Sequence, residues 1–499
     1  MIIAIGSVSS HRNGTHDAHP FGYYLAALQY FDKYFLLNGL SAIQDLMLIA
    51  RFGIYHHTGT SVWDITQLCI RMCIEQELHL PSVGQQDLLQ EHLRRRVFWE
   101  CYMIDRYSSL TLGRPVAIAD RDIEVPFPAD ADDEELIAAN GFVPNLTAFC
   151  ASRPPQGINE MSVFFACLRL RQITSKTNVK LSQSPTVDSS LPTETSFLTM
   201  GRVYTDLHQI LNELKVWRSS TPIFERPKCL YESQEWYEFI YERDRFLAIR
   251  HAMDLVPKRN ALPPQDLLSL CQKSATRVIL LFSELYQQNR ITYTRSYFQL
   301  LFIAGLSAMF CFSATPAIGQ PLPHEQARAL DNCGEILHSM GTKLPDAKHY
   351  ATIFKALHRN ISSKAETFKQ GLSSATQPHP SCTSTDSPGL PDTIRPIVEP
   401  TPIMPLRQHR ANLYDADMVQ TQFLANHANI SNDGYDHGEW SFPQDGDVFS
   451  GLSNQNSAQS DDVLHWAFFN DHRFWDIEAG LGEYAYGDPD ANLNMFNLL

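Results

Sequence analysis

Apolar side chains recur at three- and four-residue intervals in one segment after another between about Phe21 and about Gln370. That rhythm constrains the fold more than any other feature. It is plain in FGYYLAALQYFDKYFLL, LSAIQDLMLIARFGIYHH, SVWDITQLCIRMCIEQELHL, MSVFFACLRLRQI, EWYEFIYERDRFLAIRHAMDL and LLSLCQKSATRVILLFSELY. A helix of 3.6 residues per turn gathers such residues on one face, which must then be buried. Alternating strand patterns closed by Asn-Gly or Asp-Gly turns are not found in convincing numbers. The sequence predicts an all-α body of roughly ten to twelve helices. The polar stretch SQSPTVDSSLPTETS, from Ser182, reads as a loop within it.

After Gln370 the texture changes. The 35 residues beginning at Gly371 include eight prolines, too few apolar side chains to offset ordering, and so read as a linker. From Ser431 to Leu499 there are thirteen acids against one base, Arg473, so this tail holds −12 of the net charge of −15. It is also rich in large aromatics: Trp440, Phe442, Phe449, Trp466, Phe468, Phe469, Phe474 and Trp475. Acids interspersed with bulky hydrophobics are the composition of amphipathic activation segments that dock in shallow grooves on a partner. DDVLHWAFFNDHRFW is the piece expected to fold on binding, unless it packs back onto the body. The expected division is a helical body at 1–370, a Pro/Ser-rich linker at 371–430 and the tail at 431–499.

Ten scattered cysteines lack the spacing of a disulfide scaffold and suit a reducing compartment. Cys69 and Cys73 share a helix face, but two thiols do not make a zinc site, and core filling is the simpler reading. The run YFQLLFIAGLSAMFCFSATPAIG, from Tyr297, approaches membrane-spanning length. Polar interruptions and the lack of flanking Lys/Arg asymmetry favour a buried central helix.

Three arginines stand against an aromatic run in QEHLRRRVFWECYMIDRYSSLTLGRP, residues 90 to 115. On a helix, Arg94, Phe98, Cys101 and Asp105 form one row, and Val97, Cys101, Ile104 and Ser108 the next, so the core is expected there. Arg95 and Arg96 then fall toward the flank, with Glu91 placed for ion pairs to Arg94 and Arg95. A phosphate-binding helix keeps one face wholly basic, whereas Glu91, Glu100 and Asp105 share this one. The segment reads as the polar rim of a buried helix. Asp105, on the apolar side, needs donors. Backbone N–H groups or Arg114 in the LGRP turn are the candidates, with Gly113 supplying the turn and Pro115 the stop. Removing the Asp105 carboxylate is therefore expected to destabilise the fold.

LRRRVFWECYMIDRYSSLTLGRPVAIADRDIEVPFP, residues 93 to 128, resembles the signature of the fungal-specific transcription factor regulatory domain, the middle homology region of the zinc binuclear cluster regulators. The matching positions are Arg95, Arg96, Phe98, Trp99, Asp105, Arg106, Gly113, Arg114, Pro115, Asp122, Ile123, Pro126 and Pro128. The upstream helices from about Ser41 look similar too. The resemblance implies a non-enzymatic regulator of RNA polymerase II transcription in the nucleus, with the tail contacting coactivators or the transcription machinery. It also allows a homodimer and a small-molecule effector. Family members carry an N-terminal six-cysteine module holding two zinc ions, but no CxxCxxxxxxC occurs in these 499 residues. No zinc or other cofactor is expected in this chain, and DNA is expected only through a missing or partner module. Either Met1 is an internal methionine of a longer protein or the product is a cluster-less relative.

Two rival readings stand beside this one. A cluster-less helical module binding an effector or partner would act by dimer competition. An all-α terpene-cyclase-like enzyme would use the acids of PADADDEEL (Asp130, Asp132, Asp133, Glu134 and Glu135) for a metal–diphosphate, but no second ligand helix is legible. Acids at a helix start explain that cluster more simply. His11, His16 and His19 read as a polar loop rather than metal ligands.

Overall fold

The computed structural model describes residues 1–374 apart from 32–33, 83–86, 153–156, 182–192, 260–261, 315–322 and 345–346, with backbone only at 193–197 and 362–374. Among them fourteen α-helices follow one another with no strand. They are α1 (Ile2–Arg12), α2 (Pro20–Leu28), α3 (Leu40–Gly53), α4 (Val62–Glu75), α5 (Leu88–Leu112), α6 (Asp133–Ala139) and α7 (Leu146–Ala151). Then come α8 (Ser162–Leu181), α9 (Thr193–Ser219), α10 (Gln234–Leu255), α11 (Gln265–Gln287), α12 (Arg295–Ala314), α13 (His324–Lys343) and α14 (Lys348–Ser374). The all-α expectation holds, with more helices than expected because α1, α6 and α7 are short. Helix α14 also carries the chain four residues into the expected linker. The rest of that linker and every aromatic of the tail, Trp440 to Trp475, lie outside the described residues.

Local chemistry sets the helix ends. Ser61, Asp87, Asn145 and Ser233 each accept an N–H of the first turn of α4, α5, α7 and α10. Asp132 and Glu135 form a reciprocal capping box on α6. Gly113 ends α5 at φ +62°, and the Arg114 N–H bonds back to the Ser109 carbonyl at 2.9 Å, a Schellman closure. Helix α1 escaped the periodicity reading because Gly6, Ser7, Ser9 and Ser10 are weak helix formers and only Ala4 and Val8, one turn apart, are buried.

Two large cores result. The first joins α1 to α5 through Tyr24, Phe52, Ile70 and Phe98, and takes in Leu168 from α8. The second joins α8 to α14 through Phe239, Phe282, Phe302 and Phe354. A small third cluster of Leu88, Leu136, Leu146 and Phe149 seats α6 and α7 against the start of α5. Packing of α5 on α8 makes the seam between the two large cores. Cys69 and Cys73 are fully buried in the first, as expected of core fillers. Hydrogen bonding with Cys101, together with burial, pushes the Cys73 thiol well up.

Helix α12 is long and apolar enough to cross a membrane, yet 78% of its most apolar stretch is buried within the protein. It packs against α11, α13 and α14. Gly305 permits the closest approach: a methyl group there would sit 2.8 Å from Phe354 Cζ and 3.0 Å from Cys333 Sγ.

Candidate functional site

Helix α5 is buried on most of its circumference, so its charged residues have to find partners inside the protein. Arg95 is one of them. The expectation that it lies at the flank is corrected: it is 5% exposed, its Nε donates to Glu91 at 2.8 Å, and its Nη1 donates to the Phe127 carbonyl at 3.1 Å. The segment running back along α5 adds a second buried surface that row geometry does not anticipate. Arg96 is half-buried and pairs with Asp133 at 3.2 Å, while Arg94 donates to the Gln76 carbonyl at 3.3 Å. The three arginines fasten α5 to its neighbours rather than forming a basic face.

Asp105 and Arg106 lie nearly two turns before the helix end, with both side chains at 0% exposure. Asp105 accepts from Arg106 Nη1 at 2.5 Å, Gln67 Nε2 at 2.9 Å, Ser109 Oγ at 3.3 Å and the Ala117 N–H at 3.2 Å. Burial holds its carboxyl above the usual aspartate range, opposed by the Arg106 charge and these donors. The backbone donor expected for Asp105 is present, but the other expected donor, Arg114, is not. Its guanidinium instead stacks over Trp63 on α4, 4.6 Å from the ring, and Arg106 takes its place.

Arg106 is used almost completely. Nε donates to Ser175 Oγ on α8 at 3.1 Å, and Nη2 donates to the Ile118 carbonyl at 2.7 Å and to Asp120 at 2.8 Å. Its plane lies 4.1 Å from the Tyr102 ring. Ser175 in turn donates to Asp120 at 2.6 Å. Asp120 is held below the usual range: although burial opposes this, hydrogen bonds from Ser175, Arg106 and Tyr102 stabilise the carboxylate. The result is a set of charge-assisted bonds in which Arg106, Asp120 and Ser175 close a ring and Asp105 joins through Arg106, tying α5, the turn after it and α8 together.

The exit of the signature follows the same helix. Trp99 donates its indole N–H to the Pro126 carbonyl at 3.1 Å and meets the Phe127 ring edge-on at 4.9 Å. Pro128 is buried, and the Ala129 N–H donates to His92 Nδ1 at 3.1 Å. Phe98 is fully buried in the first core, and Ile123 is half-buried against it. Gly113 and Pro115 are exposed at the turn, and the Pro115 carbonyl accepts from Ser109. Asp122, by contrast, is exposed and only near Arg121 at 3.7 Å. The structure thus gathers most signature residues around one helix but leaves Asp122 outside. The carboxylate that reaches Arg106 and Ser175 is Asp120, two positions earlier and still 48% exposed, and no spacing rule distinguishes the two. Ser175, 69 residues from Arg106 in sequence, carries no local signal either.

The acids of PADADDEEL disperse into caps and ion pairs, whereas His11 and His19 meet edge-on with ring centroids 4.9 Å apart, and His56 lies 5.4 Å from His19. Asp132 and Glu135 cap α6, Asp130 accepts from Asn159, and Asp133 pairs with Arg96. His19 accepts the Phe21 N–H at 3.2 Å as the cap of α2, and His16 lies 3.0 Å from the Tyr23 hydroxyl. His11 meets the His16 carbonyl at 3.1 Å. Among the described residues no group of three or more His, Cys, Asp or Glu side chains is placed to hold a metal.

A profile described as a fungal specific transcription factor domain matches residues 1–243. The negative regulator of pleiotropic drug resistance STB5 of Candida glabrata is 30% identical over 152 residues, 28% of this chain and 15% of that protein. The thiamine repressible genes regulatory protein thi1 of Schizosaccharomyces pombe is 26% identical over 269 residues, covering 51% of this chain and 30% of its own. The positive regulator of purine utilization of Emericella nidulans is 19% identical over 383 residues, 64% of this chain and 35% of that one. The chain therefore spans about a third or less of the lengths of these relatives. No solved structure matches. The match to the profile takes in Asp105, Arg106, Asp120 and Ser175 and ends inside α10; residues 1–243 match a fungal specific transcription factor domain.

Proposed function

We propose that the protein is a regulator of RNA polymerase II transcription acting in the nucleus, in which the helical body is the regulatory module and the acidic-aromatic tail contacts coactivators. The observation that carries the reading is the linked set inside the family-matched region in which buried Asp105, Arg106 and Ser175 meet the half-exposed Asp120. Such a set fixes the relation of two cores, which suits a module whose task is to hold or release other segments rather than to perform chemistry. The regulators named above support this reading at the level of the family. With Arg95 and Arg106 buried and Arg96 tied to Asp133, α5 is unsuited to grip a phosphate backbone. DNA contact is assigned to a separate module or a partner.

The test is a fusion of the full chain to a heterologous DNA-binding domain, read on a reporter in yeast. Activation that disappears when residues 431–499 are deleted supports the tail as activator. Activation that survives the deletion rejects the tail as activator, and no activation by the full chain favours the module that acts by dimer competition.

A further inference from the structure

Beside the ring, a cleft of about 480 Å³ lies between α5, α8 and the chain that leaves the Gly-Arg-Pro turn. Its walls are aromatic: Trp99 and Tyr102 from α5, and Phe127 from the exit segment. Trp99 and Tyr102 meet edge-to-face at 5.1 Å, as Trp99 and Phe127 do at 4.9 Å, so the rings stand at steep angles to one another around the cleft. The polar lining is Asp120, Gln172 and, on α8 as well, Lys176.

We propose that this cleft binds a small, flat, nitrogen-bearing ring compound that presents N–H donors along one edge. The volume falls in the range of small-molecule pockets, roughly 300–1,000 Å³, and suits one or two rings. The aromatic walls favour a planar occupant, and the Trp99 N–H is already spent on Pro126, leaving its indole to pack rather than to bond. Asp120 decides the polarity. A carboxylate offers about four acceptor positions. Arg106 and Ser175 take two, while the side chain remains 48% exposed. A purely apolar occupant would strip water from that carboxylate without replacing it, which is costly. An anionic one would be repelled, because the nearby Lys176 is already paired with Glu213 at 2.8 Å. A donor meets the need. Gln172, whose amide makes no hydrogen bond among the described residues, adds one donor and one acceptor group to the same lining.

Position gives the binding a consequence. An occupant touches Trp99, Tyr102 and Asp120 on one side of the seam and Gln172 on α8 on the other. Whatever binds there stabilises the arrangement in which the two cores are joined, by mass action. The inference rests on the cleft and not on the transcriptional reading: a failed reporter assay leaves the titration untouched, and a failed titration leaves the reporter assay untouched.

Adenine, cytosine and 2-aminopyrimidine are the probes, with 6-dimethylamino-9-methylpurine as a control of the same ring shape lacking every N–H. Binding to the full chain is followed by saturation-transfer NMR and by tryptophan fluorescence. The variants are Gln172→Ala and Phe127→Ala, both at side chains outside the Asp105–Arg106–Asp120–Ser175 set, with unliganded melting curves to verify the fold. At least one donor-bearing probe is expected to bind, the methylated purine about tenfold more weakly or not at all, and each variant about tenfold more weakly, as for one lost contact. Equal affinity for adenine and its methylated counterpart overturns the proposal. So does undiminished binding to both variants, or no binding of any donor-bearing probe at millimolar concentration.

Discussion

Arg106 sits at 0% side-chain exposure with four acceptors around it, which makes it the residue the first half of the chain is least able to replace. Arg106→Met keeps the volume but leaves Asp105 buried without its cation. Breaking a buried pair in this way costs about 3–5 kcal/mol, to be read as a lowered urea midpoint; a loss within about 0.5 kcal/mol, typical of surface changes, would show that the ring is dispensable. Adding Asp105→Asn to that variant is expected to restore part of the loss, since the stranded charge is then removed. The carboxylate was legible in the sequence because Asp105 falls in an apolar row. Its partner was not, because neighbours at i and i+1 diverge on a helix and spacing pointed to Arg114 instead. Only the length and curl of the arginine stem bring Arg106 round to Asp105.

His92 makes a prediction about pH. Burial, reinforced by Arg96, pushes its imidazole down to about 4, while Nδ1 accepts the Ala129 N–H. The unfolded chain, with histidine near 6.5, binds the proton first, so stability is full above that value and falls as pH drops from 6.5 toward about 4. Over the whole window the loss amounts to about 3 kcal/mol. His92→Asn keeps an acceptor for Ala129 without the titration, and its unfolding free energy is expected to change less between pH 6.5 and 4.5 than that of the wild type.

At the scale of the element, the ends of helices are as informative as their faces. Gly113 closes α5 in the left-handed region with nothing within 4 Å of where a Cβ would lie, so conformation rather than space demands glycine. Gly113→Ala is expected to cost about 1 kcal/mol and Gly113→Asn less, both measured as shifts in thermal midpoint. Gly305 is the opposite case, a crowded glycine. Gly305→Ala drives a methyl group into Phe354 and Cys333 and is expected to cost about 1–3 kcal/mol through overpacking of α12 against α13 and α14. The turn at Gly113 was readable from the Gly-Arg-Pro sequence and the closure at Gly305 was not, because contact between distant helices leaves no mark on local spacing. The same limit explains Arg95. Its burial follows from the returning exit segment, which takes its carbonyl partner from Phe127.

For the whole molecule, periodicity sufficed to predict most of the helices after α1 but not how they divide into cores. The division falls at α5 and α8, with Leu168 reaching from α8 into the first core. The family match ends inside α10, whereas the second core continues to Ile361. The matched region therefore depends on α11 to α14 to complete the core that its own α8 and α10 begin. A chain ended at residue 322 lacks α13 and α14 and leaves α12 uncovered on one side. It is expected to be recovered mainly in the insoluble fraction, whereas a chain ended at residue 374 is expected to stay in solution; sedimentation of the two lysates decides the matter.

The place of α12 in the chain has a consequence at birth. Beyond Arg295 the helix is uncharged and long enough to cross a membrane, and it leaves the ribosome before the two later helices that will cover it have been made. During that interval the nascent chain shows the cell the same apolar segment that an integral membrane protein would show. Until α13 and α14 have folded over it, that segment is covered from the α11 side alone.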